Sequence, residues 1–158
     1  MGEQLEQGRK RMTTDLPAKL LVTGATSQTG SLAVRALVKA GCEVRCLVRT
    51  IANRRFLPPS GNEVIEADLE KPETLQPAFA GIDAVLHIAH IRYASTILAQ
   101  CETAGIGRAV FFSSTRLFTQ FDCLTARQVR DGEEAIQAGA IDYTILRPSM
   151  IYGSRRDN

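Results

Sequence analysis

The sequence predicts an α/β protein with a doubly wound parallel sheet of about six strands, and three observations carry that prediction. Short apolar runs recur along the chain, among them Leu20-Leu21-Val22, Ala84-Val85-Leu86 and Ala109-Val110-Phe111-Phe112. Stretches of helical periodicity alternate with these runs, and Gly41, Gly81, Gly105 and Gly139 stand where the helices would stop. No hairpin signal separates consecutive runs, so the strands pair through crossovers and lie parallel. At 158 residues the chain reads as one domain with room for a sizeable core.

Each element has its own justification. Residues 1–17 are polar and aperiodic and read as a flexible N-terminal tail, which leaves 18–158 as the folded domain. Residues 18–23 form a first strand whose nearly unbroken apolar character buries both faces. The helix over 28–40 places Gly30, Val34, Leu37 and Val38 on one face and Ser31, Arg35 and Lys39 on another. Residues 43–48 are the second strand, with Arg49 at its end. A polar loop containing Pro58-Pro59 and Gly61 leads to a third strand over 63–67, followed by Asp68-Leu69. Pro72 suits a helix start, and 74–79 is a short helix. Residues 84–88 make the fourth strand and 93–103 a helix. The fifth strand, 109–112, ends in Ser113-Ser114-Thr115. A helix over 126–137 precedes the sixth strand, 143–146, where Tyr143 is expected in the core.

The stretch from Leu20 to Gly30 is the strongest functional signal. An apolar strand feeding a small-residue turn into a helix N-terminus makes an anion site, because free backbone N–H groups and the helix dipole both favour negative charge there. Gly24 permits a sharp turn and Gly30 permits close packing of helix on strand. In Gly24-x-x-Ser27-x-x-Gly30, serine stands where a third glycine commonly sits. The hypothesis is a dinucleotide pyrophosphate at residues 24–30. Arg49, Asp68, Ile88 to His90 and Ser113 to Thr115 all fall at carboxyl ends of strands, where ligands collect in such sheets.

Composition excludes other classes. The net charge of +2 comes from scattered basic residues, not from a basic patch that would bind nucleic acid. No apolar run reaches membrane-spanning length. Cys42, Cys46, Cys101 and Cys123 lack zinc spacing and read as isolated thiols of a reducing compartment, which points to the cytoplasm. His87 and His90 straddle a strand end with no carboxylate pair nearby, so packing or cofactor contact is expected and no metal.

With these positions placed, the chain resembles the short-chain dehydrogenase/reductase superfamily in its extended and atypical branches, which include sugar-nucleotide epimerases, dehydratases and NmrA-like proteins. The matching stretches are Val22-Thr23-Gly24-Ala25-Thr26-Ser27-Gln28-Thr29-Gly30, Leu47-Val48-Arg49, Ala67-Asp68-Leu69, Gly81-Ile82-Asp83-Ala84-Val85, Phe112-Ser113-Ser114 and Leu146-Arg147-Pro148-Ser149-Met150-Ile151-Tyr152-Gly153. The resemblance implies a Rossmann-like NAD(P)-binding domain. Pyrophosphate would lie on Thr26, Ser27, Gln28, Thr29 and Gly30, and adenine beside Asp68 and Leu69. The nicotinamide-side ribose would sit near Ile88, Ala89 and His90, with Ser113 lining the nicotinamide pocket. An acidic residue after the second strand would hold the 2′-hydroxyl of NAD, whereas a guanidinium suits a 2′-phosphate. Arg49 therefore points to NADP, with NAD as the alternative; Arg54 and Arg55 are other candidate phosphate partners.

Catalysis in this superfamily usually needs a Ser/Thr, a Tyr and a Lys, the last two as Tyr-x-x-x-Lys on the helix after the fifth strand. Thr115 matches the hydroxyl. Aligning the helix by its Glu pair puts Thr125 or Ala126 at the Tyr position and Val129 or Arg130 at the Lys position, so no catalytic tyrosine or lysine carries over. Two functions follow. One is an NADP-preferring oxidoreductase or epimerase-like enzyme acting on a small molecule, nucleotide sugars being in the family's range. The other is a non-catalytic NADP-sensing regulator of NmrA-like type. A homo-oligomer fits either. In the resembled proteins, residues after Arg-Pro-x-x-Ile-Tyr-Gly build a substrate region, so we expect this chain to be a piece of a longer protein lacking that region.

Overall fold

The computed structural model describes residues 17–151. Nearly all of the expected tail, and Tyr152 and Gly153, lie outside these residues. Six parallel strands, β1 (Lys19–Thr23), β2 (Glu43–Val48), β3 (Asn62–Glu66), β4 (Ala84–His87), β5 (Arg108–Phe112) and β6 (Asp142–Leu146), form one sheet in the order β3-β2-β1-β4-β5-β6. The helices are α1 (Gln28–Lys39), α2 (Gln76–Phe79), α3 (Ala94–Ala104) and α4 (Leu124–Ala138). The doubly wound parallel sheet is therefore as expected, with boundaries displaced by a residue or two. The loops also carry short 3-10 turns at Ile51–Phe56, Pro72–Thr74, Ile91–Tyr93 and Thr115–Phe118.

Strand alternation sorts the core into two layers. Leu20 and Val22 of β1 join Val44, Cys46 and Val48 of β2 beneath α1, where Val34 is fully buried and Leu37 and Val38 pack alongside. Leu21, Leu47, Val85 and Phe111 face the other way, against Phe79 of α2, Ile97 and Cys101 of α3, and Val129 and Ile136 of α4. Among the described residues one helix covers the first face and three cover the second. The asymmetry follows from the connections: the β2–β3 link is a 3-10 turn rather than a helix, while every crossover after β3 lands on the second face.

Gly41, with φ +87°, closes α1 as its position in the sequence implied. Arg45 is the unexpected member of β2. Its guanidinium is buried and donates to the carbonyls of Ala78 at 3.0 Å and Ala80 at 2.7 Å, where α2 runs out of amide partners, and to Glu63 at 3.0 Å on β3.

Tyr143 corrects an expectation. It is 43 % exposed, because β6 is the outer strand of the sheet among the described residues and pairs with β5 alone. An apolar strand pattern cannot say which strand stands at an edge.

Candidate cofactor site

The strand order reverses direction at β1, whose neighbours are β2 on one side and β4 on the other. Chain leaving β1 and chain leaving β4 diverge there, and a cleft of about 530 Å³ opens over their carboxyl ends. Gly24, Thr26 and Ser27 form one wall. Leu47 and Val48 at the end of β2, Arg49 and Asn53 after it, Asp68 and Leu69 after β3, and Ala89, His90, Arg92 and Tyr93 after β4 form the rest. A smaller cavity of about 220 Å³ adjoins it, sharing Ser27, Ala89 and His90 and adding Thr29, Ile88, Ser113, Ser114 and Val129.

The glycine turn is built by backbone contacts. Gly24 has φ +65°, and a Cβ there would stand 2.7 Å from the amide nitrogen of Ala89. Only glycine lets the turn rest on the chain leaving β4. A Cβ on Gly30 would fall 2.1 Å from the carbonyl oxygen of Gly24, so the helix start sits directly on the turn. Ser27 is the N-cap of α1: its Oγ accepts from the amide of Gly30 at 3.0 Å. Its own amide donates back to the Gly24 carbonyl, also at 3.0 Å. The hydroxyl thus serves the helix while keeping its proton to donate. At the first two helix positions, the amides of Gln28 and Thr29 have no carbonyl one turn back and are left for an anion. A pyrophosphate fits this turn, which offers donors and no carboxylate.

Arg49 is exposed on the cleft wall and forms no ion pair among the described residues. Arg54 and Arg55 do not line the cleft, and Arg55 stacks on the Phe56 ring at 4.8 Å. Asp68 accepts from the amide of Glu70 at 3.0 Å, which turns the loop after β3 across the cleft. Glu70 then meets Arg92 at 2.7 Å and the Tyr93 hydroxyl at 2.8 Å, with the Arg92 guanidinium 4.6 Å from the Tyr93 ring centre. Asn53, Arg92 and Tyr93 are wall residues that sequence reasoning missed. They lie in 3-10 turns, and no periodicity distinguishes such residues from ordinary loop polarity.

His87 is wholly buried between β1 and β5. Its Nδ1 lies 2.7 Å from Thr23 Oγ1, its Nε2 3.2 Å from the His90 carbonyl, and its ring meets Phe111 edge-on. A carbonyl can only accept, so Nε2 carries the proton and Nδ1 accepts from the threonine hydroxyl. The imidazole thereby ties the strand before the glycine turn to the loop after β4. Burial pushes its pKa down to about 4. His90 lines both cavities; its Nδ1 accepts from the Arg92 amide at 3.2 Å, and burial lowers its pKa.

Three expected residues fall apart from the cavities, Gly30 among them because it packs on the underside of the turn against Gly24. Gln28 and Thr115 line neither one, and Thr115 is exposed at the start of the 3-10 turn after β5. On α4, Thr125 accepts from Arg116 at 3.1 Å, and Val129 presents an apolar surface to the small cavity. Among the described residues no helix is long and apolar enough to cross a membrane.

The NAD(P)H-binding family model matches residues 24–157. The photosystem II assembly factor Ycf39 of Trieres chinensis is 30% identical over 147 residues, covering 84% of this chain and 46% of its own. The ceramide reductase of Caulobacter vibrioides is 31% identical over 155 residues, covering 90% and 49%. The chain spans about half the length of these relatives. A crystal structure of UDP-glucose 4-epimerase superposes with a TM-score of 0.76 at 18% identity, over 86% of this chain and 53% of that one, a likeness of fold. The glycine turn, the cleft at the strand reversal and the family match agree: this chain belongs to the NAD(P)H-binding family, and its Rossmann-like fold is shared with UDP-glucose 4-epimerase.

Proposed function

We propose that residues 18–158 are the cofactor-binding part of an NADP-preferring oxidoreductase or epimerase-like enzyme. The observation that carries the NADP preference is Arg49, a guanidinium free of ion pairs among the described residues, on the cleft wall at the end of β2. There it would meet the adenosine 2′-phosphate. Gly24, Thr26, Ser27 and the first amides of α1 would take the pyrophosphate, and Asp68 and Leu69 the adenine. Ile88, Ala89, His90 and Ser113 would take the nicotinamide half. The ceramide reductase relative supports a reductase; nucleotide sugars are the other substrate class to assay. Buried, unpaired Cys42, Cys46 and Cys101 support a reducing, cytoplasmic setting.

Titration with NADPH, NADP, NADH and NAD tests the reading, and no binding by any of them would overturn it. Arg49→Asp should weaken NADPH by at least about tenfold while NADH changes little, because a charge-assisted hydrogen bond to phosphate is lost and a repulsion gained. Equal losses for both nucleotides would remove the 2′-phosphate role.

A second reading, an NADP-sensing protein without turnover, is favoured by one observation. The α4 positions aligned with the superfamily's Tyr and Lys hold Thr125 or Ala126 and Val129 or Arg130, none of which can move a proton at neutral pH. Cofactor oxidation by the longest form of the protein, assayed with carbonyl substrates and with nucleotide sugars, separates the two.

A further inference from the structure

Glu133 of α4 is a buried carboxylate, 2% exposed, and it is fully engaged. Arg147, just past β6, grips it with Nε at 2.8 Å and a terminal nitrogen at 2.6 Å. Ser113, just past β5, hydrogen-bonds the same carboxylate through its hydroxyl. The guanidinium beside Glu133 holds its carboxyl below the ordinary range, so the carboxylate has no proton to contribute. The hydrogen between the two side chains is therefore the serine's own.

Ser113 also lines the small cavity next to the main cleft. Having committed its single proton to Glu133, its oxygen offers that cavity lone pairs alone. Ser114 is its opposite: it accepts from the Arg116 amide at 3.2 Å and keeps its proton to give. The two serines ending β5 thus differ in hydrogen-bond polarity, and the buried ion pair sets the difference.

We infer that the small cavity selects a ligand group that donates a hydrogen bond, a primary amide, with Ser113 as the acceptor and Glu133 and Arg147 as the residues that fix its polarity. The inference rests on the cofactor reading above, in which the amide is the carboxamide of the nicotinamide half. A site built to accept discriminates against an analogue lacking the donor, because its lone pairs are then desolvated without a partner.

Three ligands test this by equilibrium titration: NADPH, its 3-acetylpyridine analogue, in which a methyl replaces the amide nitrogen, and 2′,5′-ADP, which lacks the nicotinamide half. The protein should prefer NADPH over the analogue by about tenfold. Ser113→Ala should bring that preference close to one and leave 2′,5′-ADP binding unchanged. Ser113→Thr, which retains a hydroxyl, should restore it. Absence of the preference in the natural protein, or its persistence in Ser113→Ala, overturns the inference and leaves the cofactor site standing. Loss of 2′,5′-ADP binding in Ser113→Ala would mean that the serine supports the whole fold, which also overturns it. Binding of none of the three overturns both readings.

Discussion

Gly30→Ala is expected to abolish nucleotide binding and to lower the melting temperature by roughly 10 °C, the joint result of one methyl group. The added Cβ would lie 2.1 Å from the Gly24 carbonyl oxygen and 2.9 Å from the Ala25 Cα, both backbone atoms with no rotamer to escape into. Relief requires α1 to lift off the turn. That movement would break the Ser27 cap, worth about 1 kcal/mol, and disturb the packing of Val34 over β1. Overpacking of this kind costs about 3 kcal/mol, which in a domain of this size corresponds to the stated shift. Thermal unfolding together with NADPH titration checks both halves. A variant that melts like the natural protein would show that the turn has slack the contacts do not reveal.

Acidification supplies the second large effect, through His87. The folded imidazole titrates at about 4, and the same group in an unfolded chain at about 6.5. Between those values the unfolded chain binds the proton and the folded one does not, so stability rises with pH across the interval. The contribution is complete above about pH 6.5 and is lost as the pH falls toward about 4, a difference of about 3 kcal/mol. Glu133 and Glu63, each held below the ordinary carboxyl range mainly by an arginine partner, add their own losses at still lower pH. Urea unfolding at several values between about pH 7 and about pH 4 should show the slope, and His87→Gln should flatten it. An unchanged slope in that variant would assign the acid sensitivity elsewhere.

Most of the fold was legible because its signals are local. Leu20 to Val22 and Val85 announce strands by unbroken apolar character, and Gly41 and Gly105 announce helix ends by their place after the last apolar turn. The glycine turn was legible for the same reason: strand, turn and helix cap all lie within Leu20 to Gly30. What escaped is tertiary. Nothing near Ser113 in the sequence marks Glu133, twenty positions on, as the holder of its proton. Arg45 reads as a polar interruption of a strand until α2 is seen to end above it. Tyr143 looks like core for as long as its strand's place in the sheet is unknown. The wall residues Arg92 and Tyr93 depend on Glu70 arriving from another loop.

The pairing of β1 with β4 has a kinetic consequence. It sets Leu20 opposite Ala84 and Thr23 opposite His87, partners 64 positions apart, and the chain between them must first traverse α1, β2, β3 and α2. Closing so long a loop is entropically costly before any contact rewards it, so such pairings form late. The cleft opens over that same junction, with Gly24 resting on Ala89. A chain that has folded only its first βαβ unit therefore owns a helix N-terminus but no site. Nucleotide binding in a refolding experiment should appear in the slowest phase, as a signal of chains that have finished folding.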